Sequence, residues 1–196
     1  MRTEWVAYIL AGVVMIIGIR LIVESEFYQL RCINSELDGQ RYCVRERHKL
    51  QMAADRLANI RSRLDKLVKH CSETRPDAPE VQRMAKNYNP KKICETLPSS
   101  EHTAYSENKG EKMAFCLDTE RDGKGRLIDL NTLTFVALHE LAHVATVSIG
   151  HTPEYWQNFR MLLKEAAGIG IYEPEDYSKE PARYCGMEIT DNPYFT

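Results

Sequence analysis

The chain has 196 residues, 43% of them hydrophobic and 28% charged, and a formal net charge of −2 at pH 7. That length carries one domain with a short appendage, and that apolar share excludes a chain that is mostly disordered. The near-zero net charge hides a division: residues 41–92 hold 14 Lys and Arg against 6 Asp and Glu, whereas residues 93–196 hold 9 against 17. The acidic half argues against a polyanionic substrate in any cleft it forms. The basic stretch has the charge to face anionic lipid or nucleic acid. It carries no interleaved aromatic residues and no nucleic-acid motif, so a solvated helix face accounts for it and nucleic acid is not an expected partner.

The first element runs from Trp5 to Val23, 19 residues with one charge, Arg20, near its end. It is long enough to cross a bilayer. Arg20 can snorkel to one interface, and Trp5 and Tyr8 suit the other. A cleaved signal peptide fits less well, because Arg2 is offset by Glu4 and no small-x-small site follows. Residues 1–23 are therefore expected to form an uncleaved transmembrane anchor, with the lipid bilayer as the partner of residues 5–23. Arg20, Arg31, Arg41, Arg45 and Arg47 lean the remainder toward the cytosolic face, and the chain has no Asn-x-Ser/Thr sequon.

Residues 24–44 read as a polar linker with a turn at Asp38-Gly39, and residues 45–196 as the domain. A helix is expected from Arg45 to about Cys71, with apolar positions Leu50, Ala53, Leu57, Ile60, Leu64, Leu67 and Cys71. Their steps of three and four make a heptad seam. Two uses compete: a parallel coiled coil that dimerises the anchored chain, or a face laid on the domain. The seam is short and contains an Ala and a Cys, which favours the domain. Pro76 and Pro79 break the chain, and a short helix from Pro79 to Asn87 would bury Val81 and Met84. Asn89-Pro90 opens a strand-rich stretch. Strands are expected at Thr103–Tyr105 and Met113–Leu117 around a turn at Asn108-Lys109-Gly110, with a second turn at Asp122-Gly123-Lys124-Gly125. The cysteines Cys32, Cys43, Cys71, Cys94, Cys116 and Cys185 form no CxxC pair, which argues against a zinc ribbon. Their even number permits three disulfides; reduced thiols suit a cytosolic setting equally.

The next helix carries the chemistry. His139-Glu140-Leu141-Ala142-His143 lies in the apolar run Leu133–Ala145, capped by Asn131 or Thr132 and ended by Gly150. Residues four apart share a helix face, so His139 and His143 aim two imidazoles at one point, a grip for Zn2+. Glu140 can then collect the proton of a metal-bound water. The third ligand is expected to be His151, at a junction where Thr152 caps and Pro153 begins another helix. The rival is Glu165, in a thermolysin-like arrangement. The metzincin pattern is excluded, because it needs Gly at 146 and His at 149, where Thr146 and Ile149 stand. That second helix would bury Trp156, Phe159, Leu162, Leu163 and Ala166 and end at Gly168. Tyr155 and Tyr172 are candidate donors to an oxyanion. Tyr184–Ile189 reads as a last strand, with Met187 in the core.

The segment from His139 to His143, followed by His151-Thr-Pro-Glu-Tyr-Trp-Gln-Asn-Phe159, resembles the SprT and WLM zinc metallopeptidases, most closely the WLM-like metallopeptidases of large DNA viruses. Segments similar to Thr103–Glu111 and Tyr184–Met187 recur there. The resemblance spans about residues 45–196 and is sharpest over 131–160. It implies an α+β, zincin-like metallopeptidase domain, with helices packed on a small antiparallel sheet, behind one N-terminal transmembrane helix. It makes His139, His143 and His151 the metal ligands and Glu140 the general base. The spacing from His143 to His151 is longer than in the compact WLM pattern, and no DNA-binding module is evident. The expected activity is that of a membrane-anchored zinc endopeptidase acting on protein or peptide. Two alternatives stand beside it: a virion or membrane-associated structural protein that keeps the scaffold and contacts capsid or other virion proteins, and a DNA-associated protease of the SprT/WLM type.

Overall fold

The computed structural model describes residues 2–23, 29–123 and 125–196. Residues 24–28 of the expected linker, and Lys124 in the second expected turn, lie outside the described residues. Helix α1 (Arg2–Val23) is apolar on every side. Among the described residues it is the one helix long and apolar enough to cross a membrane, and none of its span Trp5–Val23 is buried.

The linker is the first expectation to change. Leu30–Asn34 (β1) and Arg41–Arg45 (β2) form an antiparallel hairpin in which Cys32 faces Cys43 and bonds to it. Leu30, Tyr42 and Val44 are buried in the domain. The stretch reads as polar because only one face of a short hairpin is apolar. Arg45, expected to begin a helix, instead ends β2 with its guanidinium buried. It donates to the carbonyls of Thr96 and Arg121, both at 2.8 Å, and to Thr96 Oγ1 at 2.9 Å. Glu95 accepts from the Arg45 amide at 2.8 Å and from Arg47, and Arg47 reaches Asp118 at 2.7 Å. A buried charge needs such full pairing. The packed domain thus begins at Leu30 rather than at residue 45.

Helix α2 (Leu50–Thr74) turns its seam, Ala53, Leu57, Ile60, Leu64, Leu67 and Cys71, into the core. The seam serves the domain and is not left as a free coiled-coil face. Helix α3 (Pro79–Asn87) starts on Pro79 and buries Val81 and Met84 as expected. Strands β3 (Ile93–Glu95), β4 (Ala104–Glu107) and β5 (Lys112–Phe115) form a sheet ordered β3-β5-β4. β4 pairs antiparallel to β5, but β3 pairs parallel to it, so the sheet is mixed and not purely antiparallel.

Helices α4 (Leu130–Ala145) and α5 (Pro153–Gly168) pack on one another beside β4. The cap of α4 is Asp129, which accepts from the Thr132 amide at 2.8 Å, rather than Asn131 or Thr132. The helix stops at Ala145, before Gly150, and Thr146 Oγ1 turns back to donate to the Ala142 carbonyl at 2.7 Å. Thr152 and Pro153 begin α5 as expected. Its buried face is Tyr155, Phe159, Leu162, Leu163 and Ala166, while Trp156 is 37% exposed. The single last strand expected is a hairpin, β6 (Ala182–Tyr184) and β7 (Met187–Ile189), turning at Cys185-Gly186. Cys185 bonds to Cys116 beyond the end of β5, and Cys71 and Cys94 lie buried outside these two bridges. The fold is α+β, with five α-helices and three small sheets among the described residues.

Candidate metal centre

α4 presents His139 and His143 one turn apart on its open face, and residues 146–152 fold the chain back so that His151 meets them. The three ring centroids form a nearly equilateral triangle, 5.1 Å from His139 to His143, 4.9 Å from His139 to His151 and 5.0 Å from His143 to His151. One ligand atom from each lies within 4.8 Å of the others, and the Nε2 atoms of His139 and His151 are 3.2 Å apart. Beneath them is Tyr155, whose ring stacks on His143 at 4.3 Å and lies 4.6 Å from His151. Its hydroxyl donates to the His139 carbonyl at 3.4 Å. Phe159 and Trp156 close the floor against His139 and His151.

Desolvation and the neighbouring imidazoles push His139 down to about 3, and the same causes with nearby Lys109 push His143 down to about 4. Both rings are therefore neutral at pH 7, the state that ligates metal. Glu140 follows His139 on the helix and is 6% exposed. Burial pushes its carboxyl up to about 7. It opens on a cleft of about 330 Å³ whose walls are mostly apolar, with Val136, Trp156, Phe159, Met187, Ile189 and Pro193 among them. Thr103 and Ala104, at the start of edge strand β4, form another side.

Comparisons with known proteins add viral relatives. The chain is 26% identical over 193 residues to uncharacterized protein R325 of Acanthamoeba polyphaga mimivirus, covering 94% of this chain and 97% of the relative. It is 29% identical over 117 residues to uncharacterized protein 136R of Invertebrate iridescent virus 6, covering 60% of this chain and 64% of that one. A third stretch of 64 residues is 49% identical to uncharacterized protein 042R of Invertebrate iridescent virus 3, or 32% of this chain and 38% of the relative. No family model and no solved structure matches the chain.

Of the residues singled out from sequence, His139, Glu140, His143 and His151 come together. Glu165 does not join them: it is paired with His70 at 3.1 Å and Arg75 at 3.8 Å. Tyr155 lies under the histidines with its hydroxyl on a backbone carbonyl, and the Tyr172 hydroxyl accepts from Asn192 at 2.7 Å. Neither lines the cleft. The phenol that does is Tyr184, which donates to the Thr103 carbonyl at 3.0 Å and whose pKa is raised by burial and then by Glu140. Met187 is not core but 49% exposed on the cleft wall. Sequence reasoning also missed Glu154, which accepts from the Val147 and Ser148 amides at 3.1 and 3.4 Å and pairs with Arg83. The amides it meets belong to the loop rather than to its own helix, so its place in the first turn after Thr152-Pro153 gave no sign of them.

Proposed function

We propose that this protein is a membrane-anchored zinc endopeptidase with a zincin-like domain. His139, His143 and His151 would hold the metal, and Glu140 would be the general base. The observation that carries the reading is the convergence of three imidazoles beside a buried carboxylate at an open cleft. Three convergent imidazoles, with His139 and His143 held neutral by burial, suit catalytic zinc. The 3.2 Å between two of their nitrogens is close to the ~3.3 Å expected of two nitrogen ligands on a tetrahedral ion. When bound, zinc supplies an acidified water and a Lewis acid for the scissile carbonyl. The remaining work falls to the chain. Glu140, held near neutrality by burial, takes up a proton at its carboxylate and releases it to the leaving amine. Tyr155 holds the ligand rings in place. Tyr184 replaces Tyr155 and Tyr172 as the candidate donor to a developing oxyanion. The apolar walls suit apolar substrate side chains, and edge strand β4 offers backbone to an extended substrate. The resemblance to the WLM and SprT metallopeptidases supports the same roles.

Helix α1 supports an anchor in lipid, and the viral relatives support a viral membrane as its setting. Two disulfides support the oxidising face for the domain, against the cytosolic lean of the basic flank. A second reading, a structural protein tying a viral membrane to its shell, draws on the same anchor and relatives. Burying Glu140 is costly and useless to a scaffold, which favours the enzyme. The test is metal analysis and peptide cleavage with the full chain in detergent. One zinc per chain, lost in His143→Ala and kept in an inactive Glu140→Gln, is the expected result. A folded protein that takes up no metal would put the structural reading first.

A further inference from the structure

The turn between β4 and β5 has an unusual backbone. Asn108, Lys109 and Gly110 have φ of 47°, 58° and 112° in succession. Two non-glycine residues in the left-handed region carry a conformational cost that a surface turn could avoid with other residues. At Gly110 the reason is contact: a Cβ there would meet Val144 Cγ1 at 2.8 Å and the Asn87 carbonyl at 2.9 Å. The turn is pressed against the last turn of α4. At Lys109 the reason is reach. Its ammonium donates to the carbonyls of Ser148 at 2.8 Å, Thr146 at 2.9 Å and His143 at 3.4 Å.

Those acceptors lie in the connection between His143 and His151. A helix end leaves its last carbonyls without intrahelical partners, and a cation there is favourable. The neighbouring carbonyls are taken by other groups: Ala142 by Thr146 Oγ1 at 2.7 Å and Ala145 by Arg83 Nε at 2.9 Å. Among the described residues, Lys109 is the side chain that joins the backbone of a helical histidine to the loop that returns the third. Glu154 holds the same loop by its amides. Thr146 is buried and held by Asn158 Nδ2 at 2.9 Å, and Ser148 bonds to Thr152, but beyond them the loop buries little of itself, since Val147 is 65% and Ile149 is 90% exposed. Past Thr146 its course is therefore set more by polar contacts, those of Lys109 and Glu154 among them, than by packing.

We infer that Lys109 is a positioning residue for the three-histidine site: by gripping the carbonyls on both sides of the helix end, it fixes where His151 stands relative to His139 and His143. The inference rests on the zinc reading for its consequence, but not for its geometry. Lys109→Met keeps the stem and removes the three donors. Lys109→Arg keeps a cation and donors. In the full chain, zinc affinity measured by chelator competition should fall roughly 10- to 100-fold in Lys109→Met, as for other groups that orient ligands, and largely recover in Lys109→Arg. In the metal-free protein, backbone hydrogen exchange should quicken at Val147–Gly150 in Lys109→Met while the core of α4 stays protected. Unchanged exchange in that loop would overturn the inference, whether or not the wild type binds zinc. So would exchange that quickens throughout the domain, or equal loss of affinity in both variants, because then Lys109 merely stabilises the fold. Quickened loop exchange in a wild type that binds no zinc would keep the positioning role and overturn the metal reading instead.

Discussion

Two helices of this chain are apolar on nearly every side, and their fates are opposite. In α4 even the polar Thr132, Thr134 and Glu140 are buried, and the helix is wrapped by α2, α3, α5 and the sheet. In α1 the side chains are open along the whole described span, with Tyr8 at 76% and Val14 at 68% exposure. Hydrophobicity alone does not separate them. What separates them is the company of polar groups. α4 has a cap in Asp129, a Lys and an Arg on its last carbonyls, and two titratable groups, His139 and Glu140, on a cleft. α1 has none of these along its middle. Such local polar wiring belongs to a helix of the protein interior; α1, without it, has the length and apolarity to cross a membrane.

The same charge placed in each helix is the sharpest way to break that comparison. Leu138→Lys should abolish folding of the domain, because Leu138 is fully buried with no partner for an ammonium. Loss of the cooperative thermal transition is the readout. Val14→Lys should leave that transition in place and instead move the protein from the alkali-resistant membrane fraction to the soluble one, at an insertion cost of about 3 kcal/mol. If Val14→Lys unfolded the domain, α1 would be part of its core. Cys185→Ser comes next, with an expected loss of about 2–4 kcal/mol in denaturant unfolding. No loss would mean that the β6–β7 wall of the cleft needs no covalent tie. Asp129→Ala should cost about 1 kcal/mol through the cap of α4 alone. An unchanged midpoint would show that packing, not capping, sets the start of that helix.

A separate test is a pH slope in the metal-free protein. His139 and His143 have folded pKa values below their usual 6.5, so their contribution to stability is complete above pH 6.5 and is lost as pH falls through about 4 for His143 and about 3 for His139. Glu140 runs the other way. Its folded pKa is raised from 4.5 to about 7, so its contribution is complete below pH 4.5 and is lost as pH rises through 7. Glu140→Gln in chelator should therefore match the wild type at pH 4 and exceed its stability at pH 8. A difference independent of pH would mean that the carboxyl is not desolvated as described.

The reading of α4 and α5 was legible because it rests on local rules. Two histidines four apart share a face wherever the helix goes, and Thr152-Pro153 announces a helix start in any context. The seam of α2 was legible for the same reason, although its partner had to be chosen. What escaped was non-local. The hairpin at 30–45 depends on Cys32 meeting Cys43 and on Arg45 meeting carbonyls some fifty residues away. β3 is three residues long and owes its place to β5. Asp129 escapes a local reading because it stands ahead of the apolar run, with Asn131 and Thr132 nearer to it. Lys109 could not be found from sequence, since its partners are backbone carbonyls, which leave no residue code. Tyr184 is held at the cleft by non-local ties of its hairpin: the Cys116–Cys185 bridge, the amides of Cys185 and Gly186 on the carbonyls of Asp118 and Thr119, and its own hydroxyl on Thr103.

That bridge has one more consequence. It closes a ring of chain from residue 116 to residue 185, and inside the ring lie α4, α5 and all three histidines. The exposed tip at Ile149 is the natural place for a nick, by another protease or by a second copy of this one. A chain cut there remains a single covalent object, its ligands still tethered on both sides of the break. It would run as an intact band until a reductant is added, so damage, or maturation, at the metal site would be silent on a non-reducing gel.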